Sequence, residues 1–288
     1  MRHCIIVPLY KSFSLLTPVE LVSLKQLFKI LGDHKIIYIG PPSLDYSFYL
    51  NPDFEHTHKL TFQTFNETNF RGISGYNKLL ISEHFLHTFK NYPFILMYQL
   101  DCFVFRDELN YWCDKGYDYV GAQWTGMHIY KGIPLVGVGN GGFSLRKVKS
   151  MLALLRQLRY LETLQKYQSF NCKGILPRLP KLLAQLMFSK KLVSDFANNY
   201  SFQEDVFWCV DAPMKLQNFE GNSLIINFLA KILVRSQFKI APVETALQFS
   251  IETNPRELYN LNNGQLPFGC HAWEKYDPEF WKAFIPVS

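Results

Sequence analysis

The feature that most constrains this chain is a strand–helix–strand pattern at its amino terminus. The apolar runs His3–Leu9 and Lys35–Ile39 predict two buried strands. Between them, residues 18–31 carry apolar side chains at helical spacing, and Thr17 and Pro18 form a typical N-cap and first helical residue. Strand, helix and strand in this order open a parallel sheet. The sequence therefore predicts a Rossmann-related α/β fold, with a mostly parallel sheet flanked by helices.

The size of the chain fits one folded domain. Its 288 residues are enough to bury a large core, and a hydrophobic content of 48% excludes intrinsic disorder. The apolar stretches 93–100 and 222–234 are shorter than the roughly 20 residues of a membrane-spanning helix. The N-terminus has no signal-peptide cleavage site, and no composition break marks a linker. We therefore expect a single domain over residues 1–288, located in the cytoplasm.

Positive charge is concentrated in one segment of the chain. Between Arg146 and Lys191 there are eleven basic residues and one acidic residue, Glu162, although the net charge of the whole chain is only +6. A nucleic-acid-binding protein would carry its charge more generally, so we expect no nucleic-acid partner. The spacing of apolar residues predicts helices across most of this segment. It is therefore interpreted as a basic helical insertion over residues 145–200.

One part of the basic segment is predicted to be an amphipathic helix. Apolar and basic residues recur there at helical spacing: Leu179, Leu182, Leu183, Leu186 and Met187, with Arg178, Lys181, Lys190 and Lys191. Such a helix can lie in the interface of an anionic membrane. Two interpretations stay open. The protein binds peripherally to the inner membrane face through 146–193, or the leucines pack on the domain and the charges are solvated.

An aspartate follows a predicted core strand. Residues 94–100 form a near-continuous apolar run, and Asp101 comes directly after it. In open α/β sheets, ligands bind outside the carboxyl ends of the strands. Asp101 is therefore a candidate ligand-binding residue; the alternative is that it caps a turn.

A glycine-rich turn, a carboxylate pair and a histidine are the other candidates. The turn 139–142 (GNGG) lets backbone approach a ligand closely, but lacks the spacing of dinucleotide- or phosphate-binding loops. Glu204 and Asp205 precede aromatic residues, where desolvation raises a carboxylate pKa towards that of a general base. His271 is either structural or a ligand. The alternative for the glycine-rich turn, which follows a predicted open loop to about residue 136, is a tight turn before a helix. The alternative for Glu204 and Asp205 is a helix N-terminus, where acidic residues complement the helix dipole.

In their order along the chain, these motifs resemble those of nucleotide-sugar glycosyltransferases with the GT-A fold. The series is IIVPLY, YNKLL, FILMYQLD, GNGGFSLR, EDVFW and GCHAW. The resemblance covers residues from about 3 to 275 and is to a bacterial group found among capsule and lipopolysaccharide synthesis genes. It implies a hexosyltransferase-like enzyme that transfers a sugar from a nucleotide diphosphate to a hydroxyl of a cell-surface or lipid-linked glycan.

The resemblance also implies roles for individual residues. Asp101 would hold a divalent cation, Mn²⁺ or Mg²⁺, against the donor diphosphate, and His271 would complete the metal site. Asp205, with Glu204 beside it, would deprotonate the acceptor hydroxyl in an inverting reaction. The residues that it assigns to donor binding are Pro8, Leu9, Asn77, Asp101, Gly141 and Gly142.

One position departs from the family pattern. The second acid of the Asp-x-Asp motif would stand at position 103, where this sequence has Phe103. Mg²⁺ commonly keeps water and substrate phosphates as ligands, so a thin set of protein ligands still permits a metal. A metal-free enzyme would instead need Lys or Arg to neutralise the departing diphosphate.

Two other functions stay open. A sugar-nucleotide pyrophosphorylase has a related α/β architecture, but its glycine-rich basic loop has no counterpart in residues 8–11 (PLYK). A non-catalytic carbohydrate-binding protein would use aromatic side chains, 16% of this chain, as stacking platforms for sugars. That protein would bind no nucleotide.

Overall fold

The computed structural model describes residues 2–50, 60–170, 172–188, 194–234 and 238–286. The strands found there are β1 (His3–Pro8), β2 (Ile36–Gly40), β3 (Leu60–Thr64), β4 (Phe94–Tyr98), β5 (Cys102–Val104), β6 (Tyr119–Val120), β7 (Ala122–Tyr130), β8 (Ile133–Gly139), β9 (Phe143–Lys147), β10 (Ser250–Ile251) and β11 (Gly269–His271). The α-helices are α1 (Pro18–Leu31), α2 (Ile73–Ile81), α3 (Glu83–Thr88), α4 (Leu109–Asp114), α5 (Val148–Gln165), α6 (Cys172–Ile175), α7 (Leu179–Phe188), α8 (Asp195–Asn198), α9 (Glu204–Val206), α10 (Ala212–Gln217), α11 (Leu224–Leu233), α12 (Val243–Phe249), α13 (Pro255–Leu261) and α14 (Pro278–Trp281).

A six-stranded sheet organises the fold, in the order β3-β2-β1-β4-β9-β6. Strands β3, β2, β1 and β4 are parallel, whereas β9 runs antiparallel to both of its neighbours. The prediction of an α/β fold with a mostly parallel sheet flanked by helices is confirmed. A smaller sheet, β10-β11-β5, brings the C-terminal strands against the chain that follows β4.

The central sheet is covered on both faces. Alternate side chains of a strand point to opposite faces, and β1 accordingly sends Ile5 and Val7 into one hydrophobic cluster and Cys4 and Ile6 into another. Both clusters are built from buried side chains. This burial explains why the strands are continuous apolar runs rather than alternating ones.

Helix α1 has the predicted boundaries, Pro18–Leu31. The Thr17 side chain accepts a hydrogen bond from the Glu20 backbone N–H, and the Glu20 carboxylate accepts one from the Thr17 N–H. This reciprocal capping satisfies two N–H groups that the first helical turn leaves unpaired. It also fixes Glu20 just beyond the end of β1.

The region around the glycine-rich turn differs from the prediction. Instead of an open loop to residue 136, β7 and β8 form a hairpin whose turn residues Lys131 and Gly132 have φ values of 50° and 79°. Two successive positive φ angles match the twist of a tight hairpin. The turn 139–142 then leads into β9 rather than into a helix, because residues 143–147 pair with β4 as an antiparallel strand.

The basic segment is helical where the structure describes it, with α5, α6 and α7 in succession. In α7, Leu182 and Leu186 are buried, whereas Leu183 and Met187 are exposed. Lys190 and Lys191 lie outside the described residues. Within those residues, no helix combines the length and the apolar character needed to cross a membrane.

Candidate active site at the carboxyl edge of the sheet

A cavity of about 360 Å³ opens at the carboxyl ends of β1 and β4. Pro8, the last residue of β1, lines it, and so does the turn Gln99–Asp101 that follows β4. The remaining lining residues come from α1, from the chain before it, from the start of α2 and from the C-terminal region: Tyr10, Glu20, Phe70, Gly72, Ile73, Tyr76 and Glu274. The volume lies within the range of small-ligand sites.

The cavity is acidic. Three of its lining residues, Glu20, Asp101 and Glu274, are carboxylic acids. Lys11 forms an ion pair with Glu20 at 2.6 Å. Burial raises the pKa of Glu274, and the charges of Asp101 and Glu20 raise it further. The cavity therefore offers carboxylate oxygens as ligands for a cation.

Asp101 faces His271 at the base of this site. Oδ1 of Asp101 lies 3.2 Å from Nε2 of His271, and Nδ1 of His271 lies 3.0 Å from Oε1 of Glu252. Burial alone would lower the pKa of His271, but Asp101 and Glu252 raise it to about 10. Burial likewise opposes ionisation of Asp101, and the charge of His271 keeps its pKa below the usual value.

The side chains of Asp101 and His271 offer ligand atoms that suit a divalent cation. Oδ1 of Asp101 is buried and accepts no hydrogen bond of good geometry, although its side chain is 34% exposed. Glu252 holds the other nitrogen of His271, as carboxylates behind metal-binding histidines commonly do. The Cys102 sulfur is also close, but it donates to the Gly142 carbonyl, and burial raises its pKa well above the usual value. Asp101 and His271 are therefore the suitable pair.

Asn140 connects this group to the predicted base. Its backbone N–H donates to Oδ2 of Asp205 at 2.8 Å, and its Nδ2 lies 3.1 Å from Nδ1 of His271. Its Oδ1 accepts hydrogen bonds from the N–H groups of Gly142 and Phe143. Asn140 has φ 87°, a left-handed conformation that asparagine tolerates better than most residues. The turn is thus locked by its own asparagine.

Asp205 is buried beside this turn. Its second oxygen, Oδ1, accepts a hydrogen bond from the Val206 N–H at 2.9 Å. Burial and the neighbouring Glu204 carboxylate raise the pKa of Asp205 to about 7, although the N–H of Asn140 lowers it. A carboxylate with a pKa near neutrality is suited to accept a proton and to release it again.

Glu204 has a different environment from Asp205. Both of its oxygens accept hydrogen bonds from the Arg146 guanidinium, at 2.7 and 3.0 Å, and both side chains are buried. This bidentate pair leaves Glu204 little capacity to act as a base. The pair joins β9 to α9 and thereby positions Asp205.

The two glycines of the turn are required by close packing. A Cβ on Gly141 would lie 2.5 Å from Oε1 of Glu204, and one on Gly142 would lie 2.1 Å from Nε2 of His271. Both positions leave no room for a side chain. The glycines therefore allow Glu204 and His271 to approach the turn. Neither glycine is among the residues that line the cavity in the part of the chain that the structure describes.

Three other positions singled out from the sequence lie away from the cavity. Leu9 is buried in the core and Asn77 donates its amide to the Phe202 carbonyl, so that Tyr76 rather than Asn77 lines the cavity. Phe103, where the second acid was expected, is buried in a cluster with Cys270 and other apolar residues. A side chain at position 103 points into the core.

Sequence reasoning missed three residues of this site: Asn140, Arg146 and Glu252. Glu252 directly follows the buried strand β10, the same signal that singled out Asp101 after β4. Asn140 and Arg146 stand in the GNGGFSLR motif, but the sequence gave them no role, because their partners lie far away in sequence and only the folded chain brings them together.

Comparisons with known proteins give one family match and several structural likenesses. The model of a family described as "Protein of unknown function (DUF5672)" matches residues 59–271. No curated protein matches. Mouse xyloside xylosyltransferase 1 is similar at 10% identity and a TM-score of 0.45, over 94% of this chain and 97% of that one. The glycosyltransferase GlyE of Streptococcus pneumoniae has 12% identity and a TM-score of 0.42, over 99% of this chain and 61% of its own. Staphylococcus aureus TarS has 14% identity and a TM-score of 0.34, over 55% of this chain and 30% of its own.

Proposed function

We propose that this chain, which belongs to the DUF5672 family, is a GT-A-type glycosyltransferase that uses a nucleotide-diphosphate sugar. The observation that carries the proposal is the network Asp205–Asn140–His271–Asp101. Asp205, His271 and Asp101 lie far apart in sequence and were selected separately by the motif resemblance, and Asn140 links them. Of these residues, Asp101 lines the cavity. The network combines a buried carboxylate that can take a proton with a group that can hold a cation.

The reaction follows the inverting course. Asp205 takes the proton of the acceptor hydroxyl while the acceptor oxygen forms a bond to the anomeric carbon. The bond from that carbon to the donor phosphate breaks, and its electron pair leaves with the nucleoside diphosphate. Asn140 holds the Asp205 carboxylate through its N–H at 2.8 Å, and Arg146 holds the adjacent Glu204. Asp205 is the base and Glu204 is a positioning residue.

A divalent cation, Mn²⁺ or Mg²⁺, is part of the proposal. A departing diphosphate beside Asp101 needs a counter-ion, and Asp101 with His271 offers two ligands, with Glu252 behind the histidine. The cation would supply positive charge to the departing diphosphate. Binding it requires His271 to give up a proton.

The donor occupies the cavity between β1 and α2. Phe70, Ile73 and Tyr76 provide apolar and aromatic surface for the nucleotide, whereas Asp101 lies beside the diphosphate. The acceptor is a hydroxyl of a cell-surface or lipid-linked glycan, and the transferred sugar is a hexose. The motif resemblance supports these last two assignments.

Nucleotide binding tests the proposal directly. We expect UDP or GDP, with Mn²⁺, to raise the melting temperature, because a ligand that binds the native state alone stabilises it. Phe70→Ala should weaken this stabilisation, and Phe48→Ala, at an exposed phenylalanine outside the cavity, should leave it unchanged. Stabilisation by glycans without any nucleotide effect would favour the carbohydrate-binding alternative. Formation of a nucleotide sugar from a nucleoside triphosphate and a sugar phosphate would favour the pyrophosphorylase.

A further inference from the structure

Two helices that pack on α5, and one helical turn, carry exposed apolar side chains. Helices α7 and α11 both pack on α5 and contribute Leu182 and Ile226 to one buried cluster. Helix α6 and the turn 176–178 connect them. Six large apolar residues on these elements are exposed, and together we call them the outer helical face: Leu176, Leu183, Met187, Leu224, Phe228 and Ile232.

Helix α11 shows the pattern most clearly. Leu224, Phe228 and Ile232 are spaced by four residues, so they form one stripe, and they are 83%, 63% and 42% exposed. The opposite side of the helix is buried through Ile226. A helix that only covers a core has polar residues on its outer side. The outer side of α11 is apolar instead, which indicates a surface that is covered by something.

The charged residues on α6, α7, α11 and the turn 176–178 are of one sign. Residues 172–188 and 224–233 contain Lys173, Arg178, Lys181 and Lys231 and no acidic residue. A second copy of the chain on this face would bring like charges together. An anionic bilayer provides acyl chains for the apolar residues and phosphates for the lysines and the arginine.

We propose that the outer helical face binds an anionic membrane surface. Leu224, Phe228 and Ile232 of α11 lie in the interface, together with Leu183 and Met187 of α7. The basic residues contact lipid phosphates. This assignment goes beyond the transferase activity, and it extends the amphipathic helix predicted from α7 by a second helix, α11, whose exposed stripe the sequence reasoning had not identified.

Cosedimentation with vesicles tests the assignment without any turnover. We expect the full chain to pellet with phosphatidylcholine–phosphatidylglycerol vesicles at low salt and to be released by added salt, because exposed charge is screened. Phe228→Ser should weaken partitioning at least about tenfold, from the lost burial of one aromatic side chain. Lys181→Gln should weaken it about fivefold.

Leu261→Ser is the matched control, since Leu261 is 60% exposed on α13, outside this face. It should pellet like the unmodified chain. The assignment is overturned if the chain stays in the supernatant with anionic vesicles at low salt, or if Leu261→Ser weakens binding as much as Phe228→Ser. It is also overturned if Phe228→Ser dissociates a dimer, measured by analytical ultracentrifugation, while vesicle binding is unchanged.

Discussion

The backbone N–H of Asn140 donates a hydrogen bond to Oδ2 of Asp205 across 2.8 Å, although the two residues are 65 positions apart. Because the side chain of the same asparagine contacts His271, one residue sets the distance between the candidate base and the candidate cation site. The left-handed backbone of Asn140 is held by its own Oδ1, which accepts two N–H groups of the turn. The turn is thus a rigid connection between the two halves of the site.

The pH dependence of the reaction should report on Asp205. Burial and Glu204 raise its pKa to about 7, and only the unprotonated carboxylate can accept a proton. We therefore expect the transfer rate to rise with pH and to reach half of its maximum near pH 7. An aspartate with an ordinary pKa of about 4 would be ionised at every pH between about 6 and 8. The measurement is kcat against pH between about 6 and 8 with saturating donor. A flat profile would contradict the role of Asp205.

Gly142→Ala should displace His271 while the protein stays folded. The new Cβ would lie 2.1 Å from Nε2 of His271, so the imidazole must move away from Asp101. We expect the mutant to lose most of its transfer activity. Gly132→Ala is the control, because its Cβ meets no atom within 4 Å and its positive φ of 79° costs about 1–2 kcal/mol of stability. An equal loss of activity in both mutants would contradict the claim that Gly142 makes room for His271 beside Asp101.

Arg146→Met should destabilise the protein strongly. Arg146 and Glu204 are both buried and paired at 2.7 Å, and removal of one partner leaves an uncompensated charge. The expected loss in the free energy of unfolding is about 3–5 kcal/mol. The double mutant Arg146→Met/Glu204→Met should recover much of it, since both charges are gone. Chemical denaturation measures the two values. A single mutant as stable as the unmodified chain would show that the pair does not hold β9 against α9.

Cation binding can be measured independently of activity. Mn²⁺ titrations followed by electron paramagnetic resonance should give a dissociation constant that rises at least about tenfold in Asp101→Asn and in His271→Gln. Glu252→Gln should weaken Mn²⁺ binding about 10–100-fold, because the Glu252 carboxylate orients His271. Glu257→Gln changes an exposed carboxylate on α13 and serves as control. Unchanged Mn²⁺ affinity in Asp101→Asn and His271→Gln would remove the proposed ligand pair.

Local signals allowed part of this structure to be predicted. Helix α1 begins and ends where its cap and its following glycine indicate, and Asp101 stands at a strand end as its sequence position indicated. Phe103 lies in the core, in keeping with the apolar residues around it. The single domain over residues 1–288 stays a prediction.

The contacts that build the site could not be predicted in this way. The glycines at 141 and 142 suggested a backbone that approaches a ligand, whereas they make room for Glu204 and His271. Their partners are supplied by α9 and β11, which are distant in sequence. The motif resemblance favoured Asp205 over Glu204 as the base, and the position of Arg146, which pairs with Glu204, supplies a physical reason that the sequence did not show. A sequence motif identifies candidate residues, and the contacts they make in the folded chain decide which of them can bind a ligand or accept a proton.

Release of nucleotide from a sugar nucleotide tests the central claim most directly. The full chain with Mn²⁺ would be incubated with UDP- and GDP-linked sugars, and free nucleotide would be measured over time. We predict slow hydrolysis of one donor, with water in place of the acceptor, and a loss of about 10²–10⁴-fold in Asp205→Asn without a matching loss of nucleotide affinity. Asp107→Asn, which changes an aspartate near the amino ends of the strands, should keep the full rate. A chain that releases no nucleotide from any of these donors, or an Asp205→Asn mutant within threefold of the unmodified rate, would contradict the account.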